Sequence, residues 1–362
     1  MIIYFAVFTI VLALLAVSMK GRNEDDKPAL FFYIASALTL ASFLGLREGV
    51  GTDYYDVYVK SFDSIALGGG SRFEPGFTAL LNTISLFGLD YHWMFLVVAL
   101  LTVCLVYHAV FKIAGSSIWA IFIFLIGGLF FFSTNGIRQA LAVAILLNAL
   151  PYAFKGDAVK YSLIVLAATL FHSSAIVFLP LYFFRNWKLN SWKTVVTVVG
   201  VGVFAGLLSQ IILNIASSLF PQIRTYTAIE HLSIQYLASG NIDFSDMALC
   251  LIPFVLYCGV RRKLGEEARR LDFPFLILLF GVLVCLMSGT ISLYSRLAVY
   301  FSSFAIIAMP QLFYALDKKE VPGRFLVKTF YAIFLIASSL FLFGYLNFSE
   351  VIPYKACFQL LS

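Results

Sequence analysis

The chain has 362 residues, of which 61% are hydrophobic and only 12% charged. Soluble domains carry about 25% charged residues, so this composition cannot cover a water-facing surface and excludes an ordinary soluble fold. The net charge of +6 comes from Lys and Arg in short segments between apolar runs, which fits the positive-inside bias of membrane insertion and argues against nucleic-acid binding.

The expectation is an all-α, polytopic transmembrane protein: one integral membrane domain over 1–362, with about twelve segments, allowing one or two to be re-entrant. Residues 1–19 and 28–46 are apolar runs separated by the charged turn 20–27. No basic residue precedes the first run, so it reads as a retained span rather than a cleaved signal. A polar stretch, 47–72, follows. It holds Arg47, Asp53 and three tyrosines within twelve residues, then the Gly68–Gly70 break. Thr52 is placed to cap a helix carrying Tyr54 and Tyr58 on one face. A helix is expected from Phe73, with Glu74 near its start and Pro75 in its first turn. Its apolar part, to about Phe87, is short for a full crossing.

Further apolar runs cover 91–111, 117–132, 137–154, 159–184, 194–220, 246–260, 273–289, 294–315 and 325–346. Between them lie a polar loop at 221–245 and the basic loop 261–270, read as solvated and facing anionic lipid. The tail, 347–362, reads as a short interfacial helix. The five cysteines show no C-x-x-C spacing, so neither a disulfide framework nor a metal site is expected. No P-loop, dinucleotide fingerprint or H-E-x-x-H motif occurs.

Counting Lys and Arg on alternate sides gives 16 against 9. The richer side reads as cytoplasmic, which puts 47–72, 221–245, Arg296 and both termini outside. The same alternation puts Arg138 at the inner end of its helix, away from Arg47. Two re-entrant segments, 73–87 and one within 117–154, would return it to the outer side.

Polar groups beside apolar runs need a reason, since a charge at a helix centre costs roughly 2.5–3.5 kcal/mol on insertion scales. The 47–58 stretch reads plainly as an interfacial helix with a tyrosine belt, or functionally as a sugar or phosphate site. Tyrosine rings stack on sugars, carboxylates accept hydroxyl protons and an arginine fork matches phosphate oxygens. Glu74 at a helix start is favourable without any function, yet becomes a base if burial raises its pKa. Arg138 and Gln139 follow the turn-like Ser133–Gly136, and a cation there opposes the helix dipole. His172 falls near the middle of the 159–184 run, as an interhelical hydrogen bond or an acid–base group. Arg296 opens an apolar run, with Tyr300 one turn on.

Six places together resemble the EpsG family, a branch of the Wzy-type polysaccharide polymerases. They are Arg47 with Gly51–Tyr55 (Gly-Thr-Asp-Tyr-Tyr), Glu74–Gly76 (Glu-Pro-Gly), Arg138–Ala142, Phe171–Ser174 (Phe-His-Ser-Ser), Arg296 with Tyr300–Phe301, and Pro353–Lys355. The resemblance implies a multi-pass protein of the bacterial plasma (inner) membrane, acting in exopolysaccharide, capsule or O-antigen assembly. Its substrate would be an oligosaccharide on undecaprenyl pyrophosphate at the outer face, and its partners a flippase and a chain-length regulator.

The implied reaction moves the growing glycan from its lipid carrier to a new unit, without cofactor, nucleotide or metal. Arg47, Arg138 and Arg296 would grip the pyrophosphate. Asp53, Glu74 and His172 are unranked candidates for the base, and Tyr54, Tyr55, Gln139 and Tyr300 would hold sugar. The rival readings are a glycan O-acyltransferase centred on His172, a lipid-linked oligosaccharide flippase or transporter, and a ligase.

Overall fold

A computed structural model describes residues 1–20, 28–114, 117–189, 244–288 and 293–357, with isolated positions 196 and 200. The apolar run at 194–220 and most of the 221–245 loop lie outside the described residues. Among those described, the protein is all-helical with no strand. A single isolated bridge pairs Arg47 with Ala356.

Six described stretches are long and apolar enough to cross a membrane: Ile2–Met19, Tyr91–Ile113, Ile137–Lys155, Phe244–Ser288, Arg296–Lys318 and Arg324–Tyr345. The count of about twelve is not reached among the described residues, because several apolar runs are broken. The 117–132 run divides into Ser117–Ile126 and Leu129–Phe132 around Gly128, which has a positive φ of 102°. The 159–184 run divides into Ala158–Thr169 and a tighter 3-10 helix, Ser173–Phe184. His172 sits at that break in extended conformation, not in mid-helix. Pro75–Leu86 has 12 residues, about 18 Å at 1.5 Å per residue, so it is too short to cross, as its sequence implies.

The helices form two compact units, residues 1–185 with 306–362 and residues 186–305. In the first, Leu30–Gly45 packs between Ile2–Met19 and Tyr91–Ile113, and Tyr91–Ile113 packs in turn on Ile137–Leu147. The long Arg324–Tyr345 stretch leaves Phe325, Leu326, Phe330 and Ile333 exposed, an outer surface suited to lipid.

In the second unit, Phe244–Leu264, Ala268–Ser288 and Leu293–Ser302 pack on one another. The basic 261–270 segment is not a free loop. It is the turn of a helical hairpin, with Gly265 at φ +60 and Arg261 bidentate to the buried Asp272 at 2.7 Å on both arms.

The tail also departs from expectation. After a short turn at Phe348–Glu350 it runs along residues 46–48 in place of forming an interfacial helix. Glu48 N–H donates to Lys355 O at 2.9 Å and Cys357 N–H to Leu46 O at 2.7 Å. Tyr354 stacks on Phe43 with ring centroids 4.2 Å apart and donates its hydroxyl to Phe43 O.

Candidate functional site

The polar stretch after Leu30–Gly45 folds against a turn far along the chain. Gly51, at φ +100, brings its backbone so close to Thr134 that a Cβ would lie 2.6 Å from the Thr134 carbonyl oxygen. Asn135 Oδ1 accepts from both the Thr52 hydroxyl (3.0 Å) and the Asp53 N–H (2.8 Å). Thr52 therefore does not cap the next helix. Its hydroxyl is spent on Asn135, and Asp53 stands at the N-cap position without a side-chain cap bond.

The helix that follows, Tyr54–Val59, is wound wider than an α-helix: the Asp53 carbonyl accepts from both Val57 and Tyr58 N–H at 3.1 Å. Tyr54 and Tyr58 still turn inward together, joining Phe73, Phe77, Phe95 and Ile137 in one apolar cluster. Tyr55 stays exposed and donates to Glu48 Oε1 at 2.7 Å.

Two arginines border this cluster. Arg47 is buried and donates to Leu44 O (2.7 Å) and Thr134 O (3.1 Å). Its guanidinium lies 4.6 Å from the Phe95 ring centre. Burial pushes its pKa down to about 10, with the nearby Tyr54 and Tyr58 opposing that fall, so it stays charged at neutral pH. Arg47 thus ties the end of one helix to the 133–136 turn. Arg138, in the first turn of Ile137–Leu147, lies 4.4 Å from the Phe73 ring centre and within hydrogen-bonding reach of Tyr58. Asp53 also acts on the Tyr58 hydroxyl. Arg47, Asp53 and Arg138 therefore share one neighbourhood, and Arg138 is not remote from Arg47 as alternate-side counting has it. The short Pro75–Leu86 helix and the broken 117–132 run explain the difference, since neither performs the simple crossing that the counting assumes.

Glu74 joins the remaining parts. It is the N-cap of Pro75–Leu86, with Pro75 at the first helical position, where a missing N–H costs nothing. Gly76 and Phe77 N–H both donate to Leu170 O, at 2.8 and 3.3 Å. This approach needs Gly76, since a Cβ there would sit 2.7 Å from that oxygen. The docking carries the Glu74 carboxylate to the break at 170–172. Its Oε2 accepts from Arg138. Its Oε1 meets His172 Nδ1 at 3.2 Å, Ser173 N–H at 3.1 Å and the Ser173 hydroxyl at 3.4 Å.

Burial alone would raise the pKa of Glu74. The bonds to His172, Arg138 and Ser173 outweigh it and hold the carboxyl down at about 2, so Glu74 is an anion and a weak base. With a carboxylate on Nδ1, that nitrogen carries the ring proton and Nε2 is the acceptor. The cluster is partly open: Ser173 is exposed, and side-chain exposure is 21% for His172 against 15% for Arg138 and 11% for Glu74, so a substrate reaches His172 more readily than either member of the ion pair.

Gln139 is buried one position beyond Arg138. Arg296 and Tyr300 lie in the second unit on Leu293–Ser302, Arg296 exposed and Tyr300 buried. Tyr58, Ser173 and Arg72 adjoin these residues without having been singled out for a role from the sequence. Arg72 is exposed, its guanidinium 5.8 Å from the centre of the Phe73 ring that also faces Arg138. Its place two residues before Glu74 is the only local signal.

The EpsG family model matches residues 30–356, most of the chain. No curated protein and no solved structure matches. EpsG is a family of Wzy-type polysaccharide polymerases, and five of the six motif places that resemble it fall in the first unit, four of them around the residues just described.

Proposed function

The chain belongs to the EpsG family, and we propose that it transfers a growing glycan from undecaprenyl pyrophosphate to a new lipid-linked repeat unit at the outer face of the bacterial plasma membrane. The observation that carries this reading is the convergence of Glu74, Arg138 and His172, three motif residues far apart in sequence, in one partly open cluster. The family places the protein in polysaccharide biosynthesis, and the cluster supplies groups for the chemistry.

In the proposed step an acceptor sugar hydroxyl attacks the anomeric carbon of the donor. A new C–O bond forms there while the bond to the pyrophosphate oxygen breaks. The hydroxyl proton passes to His172 Nε2, and the pyrophosphate leaves on its lipid with the electron pair. Glu74 orients the imidazole and stabilises its charged form, as a carboxylate behind a histidine does in other acid–base sites. Arg138 and Arg72 meet the charge growing on the leaving group. Asp53 beside Tyr58 is the alternative base.

Arg47, enclosed by two carbonyls and Phe95, acts by holding the 133–136 turn and hence Arg138. Tyr55 is exposed enough to stack on a sugar ring, with the buried Tyr54 ring packed edge-on against it. The step draws on no nucleotide and no catalytic metal. Oligosaccharide supplied by a flippase and length set by a regulator complete the proposed assembly.

Glycan analysis of cells lacking the protein tests this. Accumulated single repeat units at the outer face, restored to polymer by wild type but not by His172→Ala or Arg138→Ala, are expected. Normal-length polymer lacking one substituent would instead mean an acyltransferase. Units trapped inside would mean a flippase.

A further inference from the structure

The tail, the Arg47–Gly51 loop and the start of Tyr91–Ile113 meet at a second cluster that the proposed reaction does not use. Glu48, His92 and Cys357 present one oxygen, one nitrogen and one sulfur, all within 4.8 Å of one another. We propose that Glu48 Oε2, His92 Nε2 and Cys357 Sγ form a site for a divalent transition metal of the zinc class.

The geometry around His92 carries the argument. Its ring is buried between two carboxylates, with Nδ1 2.9 Å from Asp90 Oδ2 and Nε2 2.9 Å from Glu48 Oε2. Asp90 is fixed in turn, because it caps the helix by accepting the His92 N–H. A carboxylate on Nδ1 keeps the proton there and aims the Nε2 lone pair outward, which is how metal-binding histidines are oriented. Nε2 lies 2.9 Å from Glu48 Oε2, a distance spanned by a shared proton when no metal is bound, and a metal that takes both atoms as ligands would displace that proton.

Glu48 is held by Tyr55 on Oε1 (2.7 Å) and by Tyr54 on Oε2 (3.1 Å). The backbone bonds from Glu48 N–H to Lys355 O and from Cys357 N–H to Leu46 O bring the buried thiol alongside. Ligands at about 2.0–2.3 Å from a tetrahedral zinc lie roughly 3.3–3.8 Å apart, so His92 Nε2 and Glu48 Oε2, at 2.9 Å, open slightly while Cys357 Sγ, within 4.8 Å of both, closes in. A mixed N, O and S set matches zinc better than magnesium or calcium. Binding would release the thiol proton and leave the fourth position to water. Its effect would be to pin the tail, and with it Tyr354 and the Arg47 loop.

Full-length protein in detergent, with Cys104, Cys250, Cys258 and Cys285 replaced by alanine, leaves Cys357 as the reporting thiol. After treatment with chelator, the protein is titrated with zinc or cobalt(II). One metal per chain is expected, with a thiolate-to-cobalt charge-transfer band in the near ultraviolet. Zinc should slow Cys357 alkylation by roughly tenfold or more, since a coordinated thiolate is withdrawn from attack. Asp90→Asn should weaken zinc binding by roughly 10–100-fold. Alkylation that is indifferent to zinc, with no cobalt band, would overturn the site and leave His92 as a hydrogen-bonded link between two carboxylates. That alkylation readout needs no substitution among the proposed ligands, so it stands even if their variants fail to fold.

Discussion

Glu74 and His172 are 98 positions apart in the chain, yet His172 Nδ1 lies 3.2 Å from Glu74 Oε1. Glu74 stands at the N-cap position of one helix without a side-chain cap bond, and its carboxylate instead accepts the first N–H of another, Ser173–Phe184, and holds Arg138 as well. One anion thereby fixes a histidine, a cation and the start of the Ser173–Phe184 helix.

His172 should be the residue whose loss removes chemistry while leaving the fold. His172→Gln keeps a hydrogen-bonding group near Glu74 but has no titratable nitrogen. Polymer formation should fall by roughly 10²–10⁴-fold with normal amounts of folded protein. Wild-type polymer from this variant would transfer the role of base to Asp53.

Stability against acid should report Glu74. Its pKa is held at about 2, below its ordinary 4.5, so the folded protein favours the anion more than the unfolded chain does. The contribution, on the order of 2–3 kcal/mol, is complete above the unfolded value and disappears as pH falls towards 2. Melting temperatures in detergent should show a constant gap between wild type and Glu74→Gln from neutral pH down to about 4.5. The gap should close at lower pH. A gap unchanged at pH 3 would mean that the carboxylate is not held in this way.

Gly76 and Gly51 should resist any side chain. A Cβ at Gly76 would press on Leu170 O, and one at Gly51 on Thr134 O, where φ is also +100. Each change to alanine is expected to destabilise by about 1–3 kcal/mol. Gly76→Ala should also uncouple Glu74 from His172, losing polymer, whereas Gly259→Ala, within a helix and with nothing lying within 4 Å, leaves polymer intact. Equal polymer from Gly76→Ala and Gly259→Ala would count against the docking of Leu170.

Arg47→Lys should behave like Arg47→Ala. An ammonium has no planar fork to span Leu44 O and Thr134 O, and it stacks poorly on Phe95. Full activity from Arg47→Lys would show that charge alone matters there.

The exposed positions Thr52 and Ser173 should lie on one side of the membrane. In a background without reactive cysteines, Thr52→Cys and Ser173→Cys should both be labelled from outside by an impermeant reagent. Labelling from opposite sides would contradict the shared cluster.

The chain itself determines much of this. Its apolar excess requires a helical membrane protein, because backbone polar groups in lipid must be satisfied within helices. Arg47, Asp53, Glu74, Arg138 and His172 also stand out locally, since polar residues beside apolar runs need a partner. Hydropathy could not decide which partner each has. A local pattern reports how apolar a segment is, not where it bends, so His172 reads as mid-helix, and Arg138 reads as remote from Arg47 or on its side according to whether two segments re-enter. Only the tertiary structure, through the break at 170–172 and the short Pro75–Leu86 helix, brings Glu74 to His172 and Arg138. It also brings Cys357 to Glu48 and His92, a grouping that no spacing along the chain encodes, because it depends on backbone contacts between segments roughly 300 residues apart.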